Sequence, residues 1–295
     1  MSVTILDGGL GQELMHRSGD PATPLWSTQV MIDHPGLVQK VHRDYFDAGA
    51  HVATTNTYAL HRDRLDKIGR GDEFEHLIAL ALKEARAARD ANGGGLIAGS
   101  IGPLGASYRP DLAPPVDVAA PAYAEVAVLI APEVDFLIIE TAASLSQAEA
   151  ALIGTKGAGK PVWLAISVND QDGRVLRSGE PVEQVAGLIR DHAPAAILAN
   201  CSVPEVMAQA LDIIGKFDLP FGAYANGFTH ITAEFLADNP TVDALRQRSD
   251  LGPKIYAEHV MGWIRQGATI VGGCCEVGPE HIREIARQVK GLANG

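Results

Sequence analysis

The chain has 295 residues, 46% apolar and 20% charged, with a formal net charge of −12. That balance can fill a large core, excludes extended disorder, and argues against nucleic acid or an anionic membrane surface as partner. Three cysteines are too few, and odd in number, for a disulfide framework; a reducing cytoplasm is expected, where cysteines more often bind metals or react. The opening MSVTILDGGL has no basic region followed by an apolar one, so it does not read as a signal peptide. No apolar run reaches the roughly 18 residues a membrane helix needs.

Along the chain, short apolar runs alternate with amphipathic stretches. Strands are expected at Val3–Leu6, His51–Thr55, Leu96–Ile101, Asp135–Ile139, Val162–Val168, Ala196–Ala199, Pro220–Tyr224 and Thr269–Gly272. Helices are expected near 35–48, 72–91, 117–131, 145–157, 180–191, 203–216, 253–266 and 279–291. Leu37, Val38, Val41, Tyr45 and Phe46 share one face at helical spacing. Ser144 and Ser202 stand where helix N-caps belong, and Gly49 and Gly267 where helices should stop. The stretch 225–250 reads as a long irregular loop with a short extra helix. Eight strand–helix units predict an α/β fold, a single (β/α)8 TIM barrel over 1–295. The strands are continuously apolar, as in a sheet covered on both faces. An open doubly wound sheet is the alternative, but Asp7-Gly8-Gly9-Leu10-Gly11 does not match its glycine fingerprint.

Barrel active sites lie at the C-terminal ends of the strands. The residues there are Asp7-Gly8-Gly9, Thr55-Asn56-Thr57, Ser100, Glu140-Thr141, Asn169, Asn200-Cys201-Ser202, Asn226 and Gly273-Cys274-Cys275. Every cysteine of the chain falls on this rim, with two carboxylates. Three thiolates around Zn2+ leave one tetrahedral position open, the arrangement of a catalytic site, and can deprotonate an incoming thiol. Gly272 and Gly273 are expected to let the backbone bend so that both neighbouring sulfurs face one ion. Singly, each signal has a plainer reading. Cys201 alone reads also as a buried structural thiol, Cys274-Cys275 as a redox pair or inert thiols, and Gly272-Gly273 resembles a phosphate-binding turn, though no basic residue accompanies it. Asp7 and Glu140 read as a turn residue and a helix-proximal acid, or as two anions for an ammonium group. Trp26 reads as core, or as a π face for a cationic methyl donor. No predicted strand carries the lysine that Schiff-base chemistry would need.

The same residues resemble a known family. Asp7-Gly8-Gly9-Leu10-Gly11-Gln12-Glu13, Thr55-Asn56-Thr57-Tyr58, Asp135–Thr141, Ser178-Gly179-Glu180-Pro181, Asn200-Cys201 and Gly272-Gly273-Cys274-Cys275 are similar in order and spacing to the homocysteine S-methyltransferases. The resemblance implies a zinc barrel with Cys201, Cys274 and Cys275 as ligands, and Asp7 and Glu140 on the homocysteine ammonium group. It further implies that amides near Gly8, Gly9 and Thr55 take the carboxylate. Donors across the family are S-methylmethionine, S-adenosylmethionine, betaine or, with further domains that this chain is not expected to have, methyltetrahydrofolate. Leu25-Trp26-Ser27 looks most like the members using sulfonium donors. Glu276-Val277-Gly278-Pro279 departs from the family's small residue and two threonines before proline, and Thr141 stands where betaine users carry tyrosine. The expectation is zinc-dependent methyl transfer from a sulfonium donor to homocysteine, giving methionine. A betaine-type or selenol methyltransferase and a zinc-thiolate or redox protein are the alternatives on the same cysteines.

Overall fold

A computed structural model describes residues 2–293 except Ala22, Pro24, His230 and 232–244. Eight parallel strands form one sheet: β1 (Thr4–Ile5), β2 (Val52–Thr54), β3 (Leu96–Ile101), β4 (Phe136–Ala142), β5 (Val162–Ile166), β6 (Ala196–Asn200), β7 (Phe221–Ala225) and β8 (Ile270–Gly273). From β2 to β8 each strand pairs with its neighbours in sequence, and β8 pairs with β1. The β1–β2 seam is held by His51 N–H donating to Ile5 O (2.7 Å) and Ile5 N–H to His51 Nδ1 (3.1 Å). The result is the expected (β/α)8 barrel.

The helices are α1 (Leu10–Ser18), α2 (Ser27–Asp33), α3 (Leu37–Ala48), α4 (Arg62–Asp66), α5 (Phe74–Asn92), α6 (Val116–Ile130), α7 (Leu145–Thr155), α8 (Val185–His192), α9 (Pro204–Ile214), α10 (Pro253–Arg265) and α11 (Pro279–Ala293). The eight expected helices are present. α1, α2 and α4 are additional, and all three sit in the loops above β1 and β2. Ser144 caps α7 by accepting Gln147 N–H (3.2 Å), and Gly49 ends α3 in the left-handed region. Ser202 is not a cap: its hydroxyl accepts Val168 N–H and donates to Val168 O, and Val203 precedes α9 instead. The short helix expected within 225–250 lies largely outside the described residues.

Two apolar layers make the core. Leu6, Val52, Ala98, Phe136, Ile138, Leu198 and Ile270 fill the barrel interior, closed below by Phe136 stacked on Trp163 at 4.0 Å. Outward residues such as Leu137, Ile139, Leu164 and Ile197 meet the helices. Side chains alternate along a strand, so parity decides which residues crown the interior. Two places beyond Phe136 and Ile138 comes Glu140. The same step leads from Ala98 to Ser100, from Val52 to Thr54 and from Ile270, through Gly272, to Cys274. The filled barrel is thereby a plug on which a polar layer stands.

Candidate active site

The cysteine cluster is built from two turns. Cys201 leaves β6 with a left-handed backbone, φ 52°. Its N–H donates to Tyr224 O (3.1 Å), and its carbonyl accepts from Asn226 Nδ2 and Arg177 Nη2, each at 3.0 Å. Cys274 N–H donates to Ala225 O (2.8 Å), and Val277 N–H donating back to Cys274 O (3.2 Å) closes a turn that swings Cys275 inward. The reversal falls on Glu276, φ 63°, and not on Gly272 or Gly273 as expected. Those glycines serve close approach: a Cβ on Gly273 would lie 2.1 Å from Val277 Cγ1, and one on Gly272 2.6 Å from Leu6 Cβ. Gly8 and Gly9 face the same turn, where added Cβ atoms would meet Val277 O at 1.9 Å and Cys274 O at 2.6 Å.

The three Sγ atoms lie within 4.8 Å of one another. Cys201 and Cys274 are joined as a disulfide, while Cys275 stays a free thiol 4.0 Å from Cys201 Sγ. The three sulfurs expected as metal ligands are thus brought together, two of them as a pair. Side chains that converge on one ion also converge on each other, so the same placement forms a bond when oxidised. Once reduced, the set suits a thiophilic cation: at a Zn–S distance of about 2.3 Å, tetrahedral ligands sit roughly 3.8 Å apart. Burial, with the charges of Glu276 and Glu140, pushes the Cys275 thiol up to about 12, a cost that a cation in the cluster would reverse.

Beside the sulfurs stand the two carboxylates. Asp7, 2% exposed, accepts Thr54 N–H and Thr54 Oγ1–H, each at 2.7 Å. Glu140 accepts from Tyr224 OH (2.9 Å) and from Ser100 Oγ. Burial pushes Asp7 up to about 7, with the charge of Glu140 adding to it, and burial likewise raises Glu140. The nearest cationic candidate, His42 Nδ1 at 4.0 Å from Asp7, is itself lowered to about 4 by burial and is neutral at physiological pH. Among the described residues these anions therefore lack a counter-charge, and a ligand ammonium group would supply one.

The amides expected to take a carboxylate are largely committed. Gly9 N–H donates to Val277 O and Thr55 N–H to Ala98 O, both at 2.9 Å, which leaves Gly8 of the three named positions. Thr55 Oγ1 instead accepts Ser100 N–H (3.0 Å) and meets Thr57 Oγ1, tying β2 to β3. Trp26 lines the pocket. Its ring lies on Gly11, its Nε1–H donates to Gln12 Oε1 (3.0 Å), and Gln12 Nε2 donates on to Glu276 (2.6 Å). Glu276, the departure noted in the sequence, thus braces the aromatic wall from behind the cysteine turn.

Together Asp7, Gly8, Gly9, Trp26, Thr55, Glu140 and all three cysteines line one cavity of about 500 Å3. Tyr108 and Arg177 were not singled out by the sequence. Tyr108 OH donates to Cys201 Sγ (3.1 Å), and its ring carries the Arg177 guanidinium at 4.6 Å. Arg177 is brought there by the hairpin that Val168–Leu176 and Val175–Pro181 close, with Glu180 accepting Leu145 N–H at the start of α7. Backbone strain would have been the signal: of seven described non-glycine residues with positive φ, Trp26, Tyr108, Thr141 and Cys201 line this cavity.

The rim of the barrel thus joins three cysteines to two carboxylates without a counter-charge among the described residues. Residues 4–289 match the family model described as homocysteine S-methyltransferase, and the chain belongs to that family. The homocysteine S-methyltransferase of Escherichia coli (strain K12) is 29% identical, over 96% of this chain and 94% of that protein. The selenocysteine methyltransferase of Astragalus bisulcatus is 27% identical, over 95% and 90%. The solved metallated form of the Escherichia coli homocysteine methyltransferase MmuM superposes with a TM-score of 0.81 at 26% identity, covering 98% of this chain and 96% of that one. The described helices include none long and apolar enough to cross a membrane.

Proposed function

We propose that this enzyme transfers a methyl group from a sulfonium donor, S-methylmethionine or S-adenosylmethionine, to the sulfur of homocysteine, with Zn2+ held by Cys201, Cys274 and Cys275. The carrying observation is that the three sulfurs share a cavity with two carboxylates that have no cationic partner among the described residues. Zn2+ there would leave one coordination position for the acceptor sulfur and favour its thiolate at neutral pH.

The chain's own residues do the rest. Asp7 and Glu140 hold the acceptor ammonium group, and Gly8 N–H is left for its carboxylate. Tyr108 and Arg177 brace the Cys201 turn. Trp26 and Tyr58, whose rings meet edge to face at 6.3 Å, wall the donor side. The reaction is an in-line displacement: the acceptor sulfur forms its bond to the methyl carbon as the donor's carbon–sulfur bond breaks. The electron pair goes to the donor sulfur, which leaves as a neutral thioether, so no general acid is needed. A strongly anionic floor favours a cationic donor over a neutral one. Trp26 meets the onium methyls, a contact worth about 1–2 kcal/mol when desolvated.

The test is to incubate the reduced, zinc-loaded protein with homocysteine and each donor and measure methionine. Both sulfonium compounds should outperform betaine, and Trp26→Ala should raise the donor KM more than the homocysteine KM. Faster turnover of betaine would overturn the donor assignment.

A further inference from the structure

The cavity is electrically graded, and its outer part has no role in the chemistry above. Its floor carries the carboxylates of Asp7 and Glu140 beside the cysteines. Its mouth carries Arg64 from α4 and Lys67 from the turn after it, beside Ile68 and Leu112, which are 40% and 46% exposed. Neither cation forms an ion pair within 4.0 Å among the described residues. Arg64 donates one Nη2–H to Pro103 O (2.8 Å), which holds the side chain in place, while its buried Nε finds no acceptor. The guanidinium carbon lies 6.0 Å from the Tyr58 ring centre, and Tyr58 OH is fixed by Ser107 Oγ at 2.7 Å. Tyr58 lines the cavity together with both Arg64 and Glu140.

We propose that Arg64 and Lys67 form the subsite for the carboxylate of the methyl donor, and so select an amino-acid sulfonium over a simple one. This rests on the sulfonium reading of the preceding section. An amino-acid sulfonium carries its reacting cation at one end and its carboxylate at the other. The acidic floor draws the first inward and the basic mouth holds the second, so the charge gradient orients the methyl group toward the sulfurs. The acceptor's carboxylate does not compete for this position, since it sits on the same carbon as the ammonium group that Asp7 and Glu140 bind at the floor. A guanidinium held by one backbone bond suits a carboxylate, and Lys67 adds a mobile second charge.

Calorimetric titration of the full-length, reduced, zinc-loaded protein with S-methylmethionine and with its carboxamide tests this in wild type, Arg64→Gln and Lys67→Gln. Each variant should bind S-methylmethionine about 10-fold more weakly, the loss expected for one charge-assisted contact, and bind the carboxamide as wild type does. The homocysteine KM should stay unchanged. Equal losses for both ligands, or a rise confined to the homocysteine KM, would overturn the inference. Lys67 is exposed, so Lys67→Gln reads out even if Arg64→Gln misfolds. Wild type binding both ligands equally sinks the subsite alone, whereas wild type binding neither sinks the sulfonium reading and the subsite with it.

Discussion

Asp7 is gripped by Thr54 through both carboxyl oxygens, yet burial outweighs those bonds and pushes it up to about 7. Its value in the folded chain thus lies above the ordinary 3.8. Its contribution to stability is complete below that ordinary value and is lost as pH rises through about 7. In its proposed role substrate binding runs the other way, because an ammonium group needs the anion. Homocysteine affinity should therefore fall as pH drops through about 7, measurable by titration at fixed zinc. Asp7→Asn keeps the shape and removes the buried charge. It should raise the thermal midpoint at pH 8, about 2–4 °C for each kcal/mol in a chain of this size, while weakening homocysteine by a few kcal/mol. A thiol without an amino group should lose less; equal losses for both thiols would make Asp7 structural. Tyr108 acts through another residue: its hydroxyl donates to Cys201 Sγ. Tyr108→Phe should lower zinc affinity about 10-fold or more in a chelator competition, with the fold intact by circular dichroism.

At the scale of elements, the decisive contact is between two turns, one after β1 and one after β8. Gly8 and Gly9 lie against the carbonyls of Val277 and Cys274, and Gly273 against the side chain of Val277. Gly273→Ala would press a methyl into Val277, so the turn must shift and Cys275 with it. The expected cost is about 1–3 kcal/mol of stability together with weaker zinc binding; unaltered zinc affinity would show that the turn does not set the ligand position. The strands were legible as continuous apolar runs, and the eight main helices from period-3.6 patterns that survive in the sequence. The inward parity of Glu140 follows from the alternation of side chains along β4, as does that of Tyr224, two places beyond Gly222 on β7. α1, α2 and α4 were hidden because short helices beside Gly8-Gly9-Leu10-Gly11 and in polar loops present turn chemistry, not periodicity. Tyr108 and Arg177 sit in loops whose path depends on tertiary contacts, here the Val168–Leu176 hairpin, and no local pattern marks them. The glycines were noticed for flexibility, but what requires them is the space between backbones, which appears only when two distant turns meet.

Taken whole, the barrel is a filled support whose upper layer gathers sulfur, carboxylate and aromatic groups from most of its strands. Because those groups come from separate loops, a shared cation would tie the loops after β6 and β8 together. Thiol reduction has to come first, since Cys201 and Cys274 are paired in this structure. Zinc added to the reduced protein should raise its thermal midpoint in proportion to the logarithm of free zinc, and the gain should vanish without reductant. The most direct measurement is elemental analysis of the reduced protein and of Cys201→Ala, Cys274→Ala and Cys275→Ala. One zinc per chain in the wild type, lost in each variant, is the predicted result. Full zinc occupancy in Cys275→Ala would contradict the three-thiolate site.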